Sequence, residues 1–386
     1  MKIIQITIGR FHHFHLARQM EKHNLLEKIY TGYPKFKLKD ETGIPKHKII
    51  SYPWFHTPYM RIGWLKINKF IWLKKLWEWI DRETLDKYVA SKITKPTILI
   101  ALSGSGLRSG KKVKEKGGVY ICDRGSSHIR YQNEILTEEY KKWGLKFEGI
   151  DPRIIKKEEE EYALADYITI PSEFVKQSFI EKGISPNKLV KIPYGARLDR
   201  FKKTGESDKN SFKVLWVGAV SFQKGFLYAL EAFKKLEHTT KEFIVIGAVS
   251  DDIIKLINTK DLTNVSFKGN IPNSELVQYY STSNVFLLPS IQDGFGMVLA
   301  EAMACGCPVI ASTNTGAADL FTDAVEGFIV PIRSVELLTQ RMQELADNEI
   351  LRKQMSEAAI LKVQSLGGWN TYGTGFKKLI DTILKH

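Results

Sequence analysis

Short apolar runs recur along the chain, and each is followed by a polar or glycine-containing loop. These runs lie at residues 2–8, 97–102, 118–122, 213–217, 243–246, 265–267, 285–288 and 309–311. Apolar runs rich in β-branched residues are typical of buried strands, and helical patterns separate several of them. Strands that alternate with helices favour parallel sheets with helices on both faces, so the pattern predicts an α/β fold.

The length of the chain predicts two domains. A chain of 386 residues exceeds the size at which a single core usually suffices. The stretch 202–210 is rich in Lys, Gly, Ser and Asp, which is typical of a linker. We therefore place the boundary between about 193 and 210, with a first domain at 1–195 and a second at 205–368.

The stretch 285–312 carries the strongest pattern. A buried strand is followed by a loop with two glycines, a helix at Met297–Ala304 that stops at Gly306, and a second strand. Free N–H groups at the start of a helix suit a phosphate, and glycine lets the backbone approach it closely. Asp293 and Glu301 lie on either side of this site, where two carboxylates could accept hydrogen bonds from sugar hydroxyls. The pattern therefore indicates a site for a nucleotide sugar.

A second phosphate-binding arrangement follows the strand at 213–217. Gly218 opens a loop that reaches Lys224 and Gly225, and an amphipathic helix begins there. A lysine at the entrance of a helix adds its charge to the positive end of the helix dipole. A Lys-Gly pair is common, but this one lies about 70 residues before the Asp293 and Glu301 pair. That placement favours one shared site.

These motifs resemble the donor site of retaining GT-B glycosyltransferases of family four. The residues that carry the resemblance are Asp293-Gly294-Phe295-Gly296, Glu301-Ala302-Met303-Ala304, Gly306 and Pro308-Val309-Ile310-Ala311. The family usually has glutamate where this chain has Asp293, and commonly has arginine where it has Ala219. The resemblance implies two Rossmann-like α/β/α domains that face each other across a cleft. The segment 369–386 looks like the C-terminal helix that crosses back onto the first domain.

The resemblance also implies roles for individual residues. Lys224 would stabilise the departing diphosphate, Glu301 would hold the ribose, and Asp293 would orient the donor sugar. The implied donor-binding residues are Gly218, Lys224, Asn270, Ile271, Asp293, Phe295, Gly296, Met297, Val298 and Glu301. The family is thought to react on one face of the sugar. With no Asp-x-Asp motif in the chain, we expect neither a metal nor a cofactor.

Candidate residues of the first domain follow its strands. Gly9 and Arg10 follow the first strand and are cleft candidates by resemblance, and Arg10 or Arg124 could supply the cation that is missing at Ala219. Asp123, Arg124 and His128 follow the strand at 118–122, at the edge where open α/β sheets bind ligands. In the family this loop often offers a histidine to the sugar or acceptor, so Asp123 and His128 are catalytic candidates. His128 as a helix cap or surface residue is the alternative.

Three histidines and three cysteines raise the question of a metal. His12, His13 and His15 lie close together at a turn with no identifiable distant partner, so the sequence argues against a metal there. Cys122, Cys305 and Cys307 show no ligand spacing, and an odd count argues against a disulfide framework. The opening segment is too short and too polar for a signal peptide, and no apolar run is long enough to span a bilayer. We expect a reduced cytoplasmic protein.

The charge is concentrated in the first domain. Residues 1–150 carry 29 Lys and Arg against 14 Asp and Glu, a net charge of +15, whereas the remainder has −1. Such asymmetry suggests a polyanionic partner. The segment 52–80 places Trp54, Trp64, Trp72, Trp77 and Trp79 among Arg61, Lys66, Lys69, Lys74 and Lys75. Tryptophan beside cations suits an anionic membrane surface. Interior packing of these tryptophans is the alternative, and a nucleic acid is disfavoured because no recognised motif accompanies the charge.

Together these features predict a retaining, metal-independent glycosyltransferase. It would move a sugar from a nucleotide diphosphate sugar to a membrane-associated or lipid-linked glycan, peripherally on the inner membrane face. Two alternatives remain open. One is a sugar-nucleotide epimerase or phosphorylase on the same fold, and the other is a catalytically degenerate member that binds a polyanion.

Overall fold

The chain forms two α/β units, each built on its own parallel sheet. A computed structural model describes residues 1–61, 71–195, 200–257 and 262–385. The predicted α/β class with two Rossmann-like sheets is confirmed. Every strand pairing in both sheets is parallel, which explains why the strands read as continuous apolar runs: both faces are covered.

The first sheet has seven strands in the order β3-β2-β1-β4-β5-β6-β7. Its strands are β1 (Ile3–Thr7), β2 (Leu26–Thr31), β3 (Ile49–Ser51), β4 (Ile98–Leu102), β5 (Val119–Asp123), β6 (Tyr167–Ile170) and β7 (Leu189–Lys191). The helices of this part are α1 (His13–Lys22), α2 (His56–Arg61), α3 (Ile71–Ala90), α4 (Leu107–Glu115), α5 (Ile129–Lys142), α6 (Pro152–Leu164) and α7 (Glu173–Glu181).

The second sheet has six strands in the order β10-β9-β8-β11-β12-β13, which is the order of a Rossmann-type sheet. Its strands are β8 (Phe212–Val217), β9 (Lys241–Ile246), β10 (Val265–Gly269), β11 (Val285–Leu288), β12 (Val309–Ser312) and β13 (Gly327–Val330). Its helices are α8 (Phe226–Lys235), α9 (Asp251–Ile254), α10 (Asn273–Thr282), α11 (Met297–Ala304), α12 (Ala317–Leu320), α13 (Val335–Asp347) and α14 (Glu349–Ser365).

The last helix, α15 (Gly368–Lys385), packs on α1 of the first unit. Gln19 donates a hydrogen bond to Asn370 at 3.0 Å across this contact. A Cβ at Gly373 would lie 2.6 Å from the Cβ of Gln19, so glycine is what lets the two helices approach so closely. The end of the chain thus returns to the first unit.

Helix α5 joins the two units on the other side. Ile135 and Leu136 belong to the hydrophobic cluster of the second unit. The buried carboxylate of Glu139 accepts hydrogen bonds from the Tyr228 hydroxyl and from Arg333, each at 2.8 Å. These contacts hold the two sheets in a fixed relation across the cleft.

Two helix boundaries show how local chemistry sets the elements. Helix α11 begins at Met297 and ends at Ala304, as predicted. Helix α6 begins at Pro152, six residues before the acidic stretch that starts at Glu158. Asp151 caps it by accepting a bond from Arg153 N, and proline is favoured in the first turn. Glu158 therefore lies inside the helix, on its buried face.

Candidate active site

The candidate donor site lies where the order of the second sheet reverses. Loops after β8 and β11 meet at this edge, which is where open α/β sheets leave a crevice for a ligand. Gly225 and Gly296 begin α8 and α11 with φ of 74°, a left-handed conformation that favours glycine. A Cβ at Gly225 would lie 2.0 Å from the Pro289 carbonyl oxygen, so the two loops touch.

Lys224 and Asp293 meet at the centre of this edge. The Nζ of Lys224 forms an ion pair with Asp293 Oδ2, and both side chains are partly exposed. The other carboxylate oxygen, Oδ1, accepts a long bond of 3.4 Å from Phe295 N. The cation expected at the diphosphate and the carboxylate expected at the sugar are thus neighbours, 69 positions apart in sequence.

Glu301 lies on the second turn of α11. Its carboxylate is mostly buried and accepts a bond of 3.3 Å from the Tyr280 hydroxyl. Burial raises the pKa of Glu301 to about 7, because the charged form loses hydration. Met297 and Val298 are half-buried in the first turn of the same helix, whose leading N–H groups have no partner within the helix.

The other donor candidates lie at the same edge of the sheet. Gly218 follows β8, and its amide donates to the Ile246 carbonyl at 2.9 Å. Asn270 and Ile271 follow β10; Asn270 is exposed and Ile271 is half-buried against the core. All three therefore come from the carboxyl ends of β8 and β10, which lie on either side of β9.

The two arginines of the facing domain already have carboxylate partners. Arg10, beside Gly9 in the loop after β1, pairs with Glu41 at 2.9 Å. Arg124 is buried and pairs with Glu158 at 2.8 Å. The structure thus shows neither guanidinium free to replace the arginine that is missing at Ala219.

A histidine pair on Asp123 forms the first-domain side of the cleft. Asp123 Oδ2 lies 2.5 Å from His12 Nε2 and 2.9 Å from His13 Nε2, and Thr169 donates to Oδ1 at 2.7 Å. Burial by itself would raise the pKa of Asp123, but the two histidines outweigh it and hold that pKa well below its ordinary value. His12 lines the cleft, so Asp123 acts on the cleft by orienting His12.

This cluster also answers the sequence argument about metal. Asp123 is the distant partner that the sequence did not reveal for His12 and His13. The three ligand atoms lie within 4.8 Å of one another, close enough to hold an ion. The direct contacts between the histidines and the carboxylate also satisfy Asp123 without one.

His128 lies in a different environment. Its Nδ1 accepts a bond from Arg130 N at 3.2 Å, which makes it the N-cap of α5. The ring packs between Tyr162 and Phe179, and burial lowers its pKa to about 4. This is the cap role that the sequence left open beside the catalytic one, and the cleft histidine is instead His12.

The loop between β11 and α11, residues 289–296, contacts the first domain directly; we refer to it as the donor loop. A Cβ at Gly294 would lie 1.9 Å from the Gly125 carbonyl oxygen, and the Gly294 carbonyl accepts from the Ser172 hydroxyl at 2.6 Å. The buried Gln292 accepts from Ser126 and Ser127 at 3.0 and 3.1 Å. The two halves of the site are closed on each other at this junction.

A cavity of about 450 Å³ opens beside the junction. Its walls come from four parts of the first domain: the loop after β1, helices α2 and α3, the loops after β4 and β5, and the segment after β7. The lining residues are Ile8, Phe11, His12, His56, Tyr59, Glu78, Asp81, Arg82, Leu102, Ser103, Arg124, Gly125, Ser126 and Tyr194. The sequence did not indicate His56 or Asp81, because no spacing links two residues 25 positions apart on different helices.

The tryptophan-rich segment divides into packed and exposed residues. Trp54 and Trp72 are 73% and 65% exposed. Trp77 donates to the Phe55 carbonyl, and Trp79 faces Arg153 and Lys157. Interior packing, the alternative in the sequence analysis, thus applies to Trp77 and Trp79, whereas Trp54 and Trp72 are exposed to solvent. Trp64, Lys66 and Lys69 and the side chain of Arg61 lie outside the described residues. In the described part of the chain, none of the helices has the length and apolar character needed to cross a membrane.

Comparison with known proteins gives a match in the second unit. Residues 199–362 match the model of the family of glycosyl transferases group 1. The fold is that of solved GT-B enzymes. The chain matches sucrose-phosphate synthase from Thermosynechococcus elongatus with a TM-score of 0.72 and 17% identity, over 100% of this chain and 99% of that one. The chain also matches the structure of Anabaena Alr3699/HepE in complex with UDP and glucose, with a TM-score of 0.69 and 14% identity, over 99% of this chain and 100% of that one.

Curated relatives are similar over part of their length. A 41.2 kDa protein in the cps region of Klebsiella pneumoniae is 30% identical over 52% of this chain and 56% of its own length. The capsular polysaccharide biosynthesis glycosyltransferase CapM of Staphylococcus aureus is 25% identical, over 58% and 63%. A lipopolysaccharide 1,2-N-acetylglucosaminetransferase of Salmonella typhimurium is 26% identical, over 55% and 61%. The chain thus spans between about half and two thirds of these three relatives.

Proposed function

We propose that the chain transfers a sugar from a nucleotide diphosphate sugar to a glycan acceptor in the synthesis of a cell-surface polysaccharide. The observation that carries this proposal is the closed junction, where Gly294, next to the Lys224 and Asp293 pair, contacts Gly125 in the loop after β5. Relatives named for capsular polysaccharide and lipopolysaccharide synthesis support the same class of acceptor.

The chemistry follows from where charge develops. As the bond between the sugar and the diphosphate breaks, the diphosphate gains negative charge. Lys224 and the free N–H groups of Met297 and Val298 would stabilise that charge before it forms, and no metal is required in this proposal. Asp293 now pairs with Lys224, so a bound diphosphate would take over the lysine and release the carboxylate to the sugar hydroxyls.

The proposed stereochemistry is retention at the anomeric carbon. A double-displacement scheme would place a second carboxylate about 5 Å from the first, as in retaining glycosidases. Here Asp293 is held by Lys224 and Asp123 by two histidines, so neither is placed as a nucleophile. In the proposed route the departing phosphate takes the acceptor proton on the same face.

The acceptor is proposed to be lipid-linked or membrane-associated, with the enzyme peripheral on the inner face. The exposed Trp54 and Trp72 and the exposed Lys74 support this part of the proposal, because aromatic and cationic side chains together suit lipid headgroups. Binding to anionic vesicles should weaken in a Trp54→Ala, Trp72→Ala, Lys74→Ala variant. Unchanged binding would remove the membrane from the proposal.

A donor screen tests the transfer reaction itself. The purified protein is incubated with UDP, GDP, ADP and TDP sugars and with cell-envelope lipids, and nucleotide release is followed. Release with one donor that is lost in Glu301→Ala but kept in Glu275→Ala, an exposed glutamate of α10, supports the proposal. Parallel samples with EDTA test the proposed independence from metal. Product without any acceptor would favour an epimerase, and silence with no nucleotide binding would favour a degenerate binding protein.

A further inference from the structure

The cavity beside the junction contains a second histidine and aspartate pair that the transfer chemistry does not use. His56 Nδ1 lies 2.8 Å from Asp81 Oδ2, and both residues are buried. A carboxylate only accepts hydrogen bonds, so Nδ1 carries the proton. The remaining nitrogen, Nε2, makes no hydrogen bond within the described residues and is available to a ligand in the cavity.

The position of His56 in the fold requires a glycine at residue 32. Helix α2 approaches the end of β2 so closely that a Cβ at Gly32 would lie 2.9 Å from the Cβ of His56 and 2.9 Å from the Ile8 carbonyl oxygen. Only glycine allows this approach. Asp81 reaches His56 from α3, and so the two helices together form one wall of the cavity.

The charges on the cavity wall cancel in pairs. Arg82 pairs with Glu78 at 2.9 Å and lies 3.7 Å from Glu158, and Arg124 pairs with Glu158 at 2.8 Å. His12 is held by Asp123 in the same way. Each cationic side chain that the described residues place on the cavity wall has a carboxylate partner, so this part of the chain offers no free positive charge to a phosphate. Its electrostatics suit a neutral ligand.

The remaining wall is aromatic. Phe11, Tyr59 and Tyr194 line the cavity, and Phe11 is 59% exposed. Tyr59 has its pKa raised to about 12 by burial and by Glu78, so its hydroxyl stays protonated and can donate. Aromatic faces bind the C–H face of a sugar ring, while an imidazole nitrogen and a phenol bind its hydroxyls.

We propose that His56, oriented by Asp81, and Tyr59 form a subsite for a neutral sugar ring of the acceptor. This inference rests on the proposed transfer reaction, since it assigns the cavity to the acceptor. The cavity adjoins the junction through Gly125 and Tyr194, so a ring bound there has a hydroxyl within reach of the donor loop. His56 and Tyr59 bind the ring, and Asp81 is a positioning residue.

Saturation-transfer NMR with small neutral sugars tests the subsite. The probes are methyl α-glucoside, methyl β-galactoside and N-acetylglucosamine, with inorganic phosphate as competitor. We expect at least one probe to bind the wild-type protein and phosphate not to displace it. In His56→Ala the dissociation constant should rise about 3- to 10-fold, as for the loss of one or two hydrogen bonds. His56→Gln, which keeps a polar atom near the Nε2 position, should restore most of the binding.

Two controls separate a binding role from a structural one. His47→Ala removes an exposed histidine of the same domain and should leave binding unchanged. Tyr59→Phe removes only a hydroxyl, so weaker binding in this variant supports the subsite even if His56→Ala fails to fold. Binding by no probe, or equal binding in His56→Ala and wild type, would overturn the proposal, as would displacement by phosphate.

Nucleotide binding, measured on the same samples, distinguishes this inference from the transfer reaction. A protein that binds a nucleotide but none of the sugars keeps the transfer proposal and loses the subsite. A protein that binds a sugar through His56 but no nucleotide keeps the subsite and loses the transfer proposal.

Discussion

The two sides of the cleft are built in different ways. On the donor side the important residues come from two short stretches, each a strand, a loop and the start of a helix. On the proposed acceptor side they come from segments spread over most of the first domain: the loop after β1, α2, α3, the loop after β5 and the segment after β7. A phosphate needs backbone N–H groups and one cation, which two loops at one edge of the sheet supply. A sugar ring must be enclosed by side chains on several sides, and such an enclosure forms only when separate segments of the chain pack together.

The two sides also differ in how their charges are held. Lys224 and Asp293 are partly exposed and pair across the donor edge, where a ligand can replace either partner. In the first domain Asp123, Glu158 and Asp81 are buried and each is fixed by a basic partner. The charges of the proposed donor side are therefore accessible to a ligand, whereas those of the proposed acceptor side are buried and paired. Five substitutions, in four predictions, test this comparison.

Lys224→Ala should have the largest effect. Removing the cation that faces the departing diphosphate should lower kcat about 100- to 1000-fold, as for other groups that stabilise developing charge. The measurement is steady-state nucleotide release with the donor found in the screen. The matched control is Lys235→Ala, which removes an exposed lysine at the end of α8, the helix that Lys224 precedes. A variant at Lys224 that turns over like this control would show that the donor side does not depend on the cation.

Gly294→Ala should break the junction while sparing the donor site. The added Cβ would overlap the Gly125 carbonyl oxygen at 1.9 Å, so the domains could not close to the same distance. A misplacement of about 1 Å costs about 100-fold in rate, while nucleotide affinity should stay within error. Gly205→Ala, whose Cβ would make an ordinary 3.4 Å contact with Thr282, is the control. Full activity in Gly294→Ala would mean that transfer does not need this closure.

Glu301→Gln should change how stability depends on pH. Burial raises the pKa of the folded carboxyl to about 7 from its usual 4.5, so the folded state holds this proton more tightly than the unfolded state. Stability contributed by the group is therefore full below about pH 4.5 and is lost as the pH rises through 7. At pH 8 the variant should exceed the wild type by at most about 3 kcal/mol, and near pH 4 the two should agree. Thermal unfolding at both pH values measures this, and parallel curves would contradict the assignment.

His12→Ala and His128→Ala should separate a cleft residue from a cap. His12 lines the cavity, and its loss should lower transfer about 10-fold, the value of one hydrogen bond to a charged group. His128 caps α5, and its loss should cost about 1 kcal/mol of stability with little effect on kcat. Activity and unfolding temperature are measured for both variants. The reverse pattern would restore His128 as the catalytic candidate.

The donor side was largely predictable because its motif is local. The run from Val285 to Ser312 showed its strand, its helix at Met297–Ala304 and its second strand through periodicity, glycine and proline alone. The ion pair between Lys224 and Asp293 was not predicted, because each residue was assigned to a different part of the donor and their contact depends on two loops meeting.

The acceptor side was poorly predictable for the opposite reason. The sequence shows no partner for His12 and His13. In the fold, β4 lies between β1 and β5, and this order brings Asp123 at the end of β5 to the two histidines. In the acidic run of α6, Glu158 and Glu161 are buried, and burial raises the pKa of Glu161 to about 8. The sequence shows which residues are charged, but it does not show which of them are buried or paired with each other.

The sequence by itself determined the α/β class, the positions of the main strands and the donor loop with its glycines, because these follow from periodicity and from the backbone conformations that glycine permits. The tertiary structure alone decided which histidine faces the cleft, which arginines are already paired, and that α2 and α3 close a cavity around His56. Contacts between residues far apart in the chain depend on the order of strands and the packing of helices, and no local pattern encodes that order.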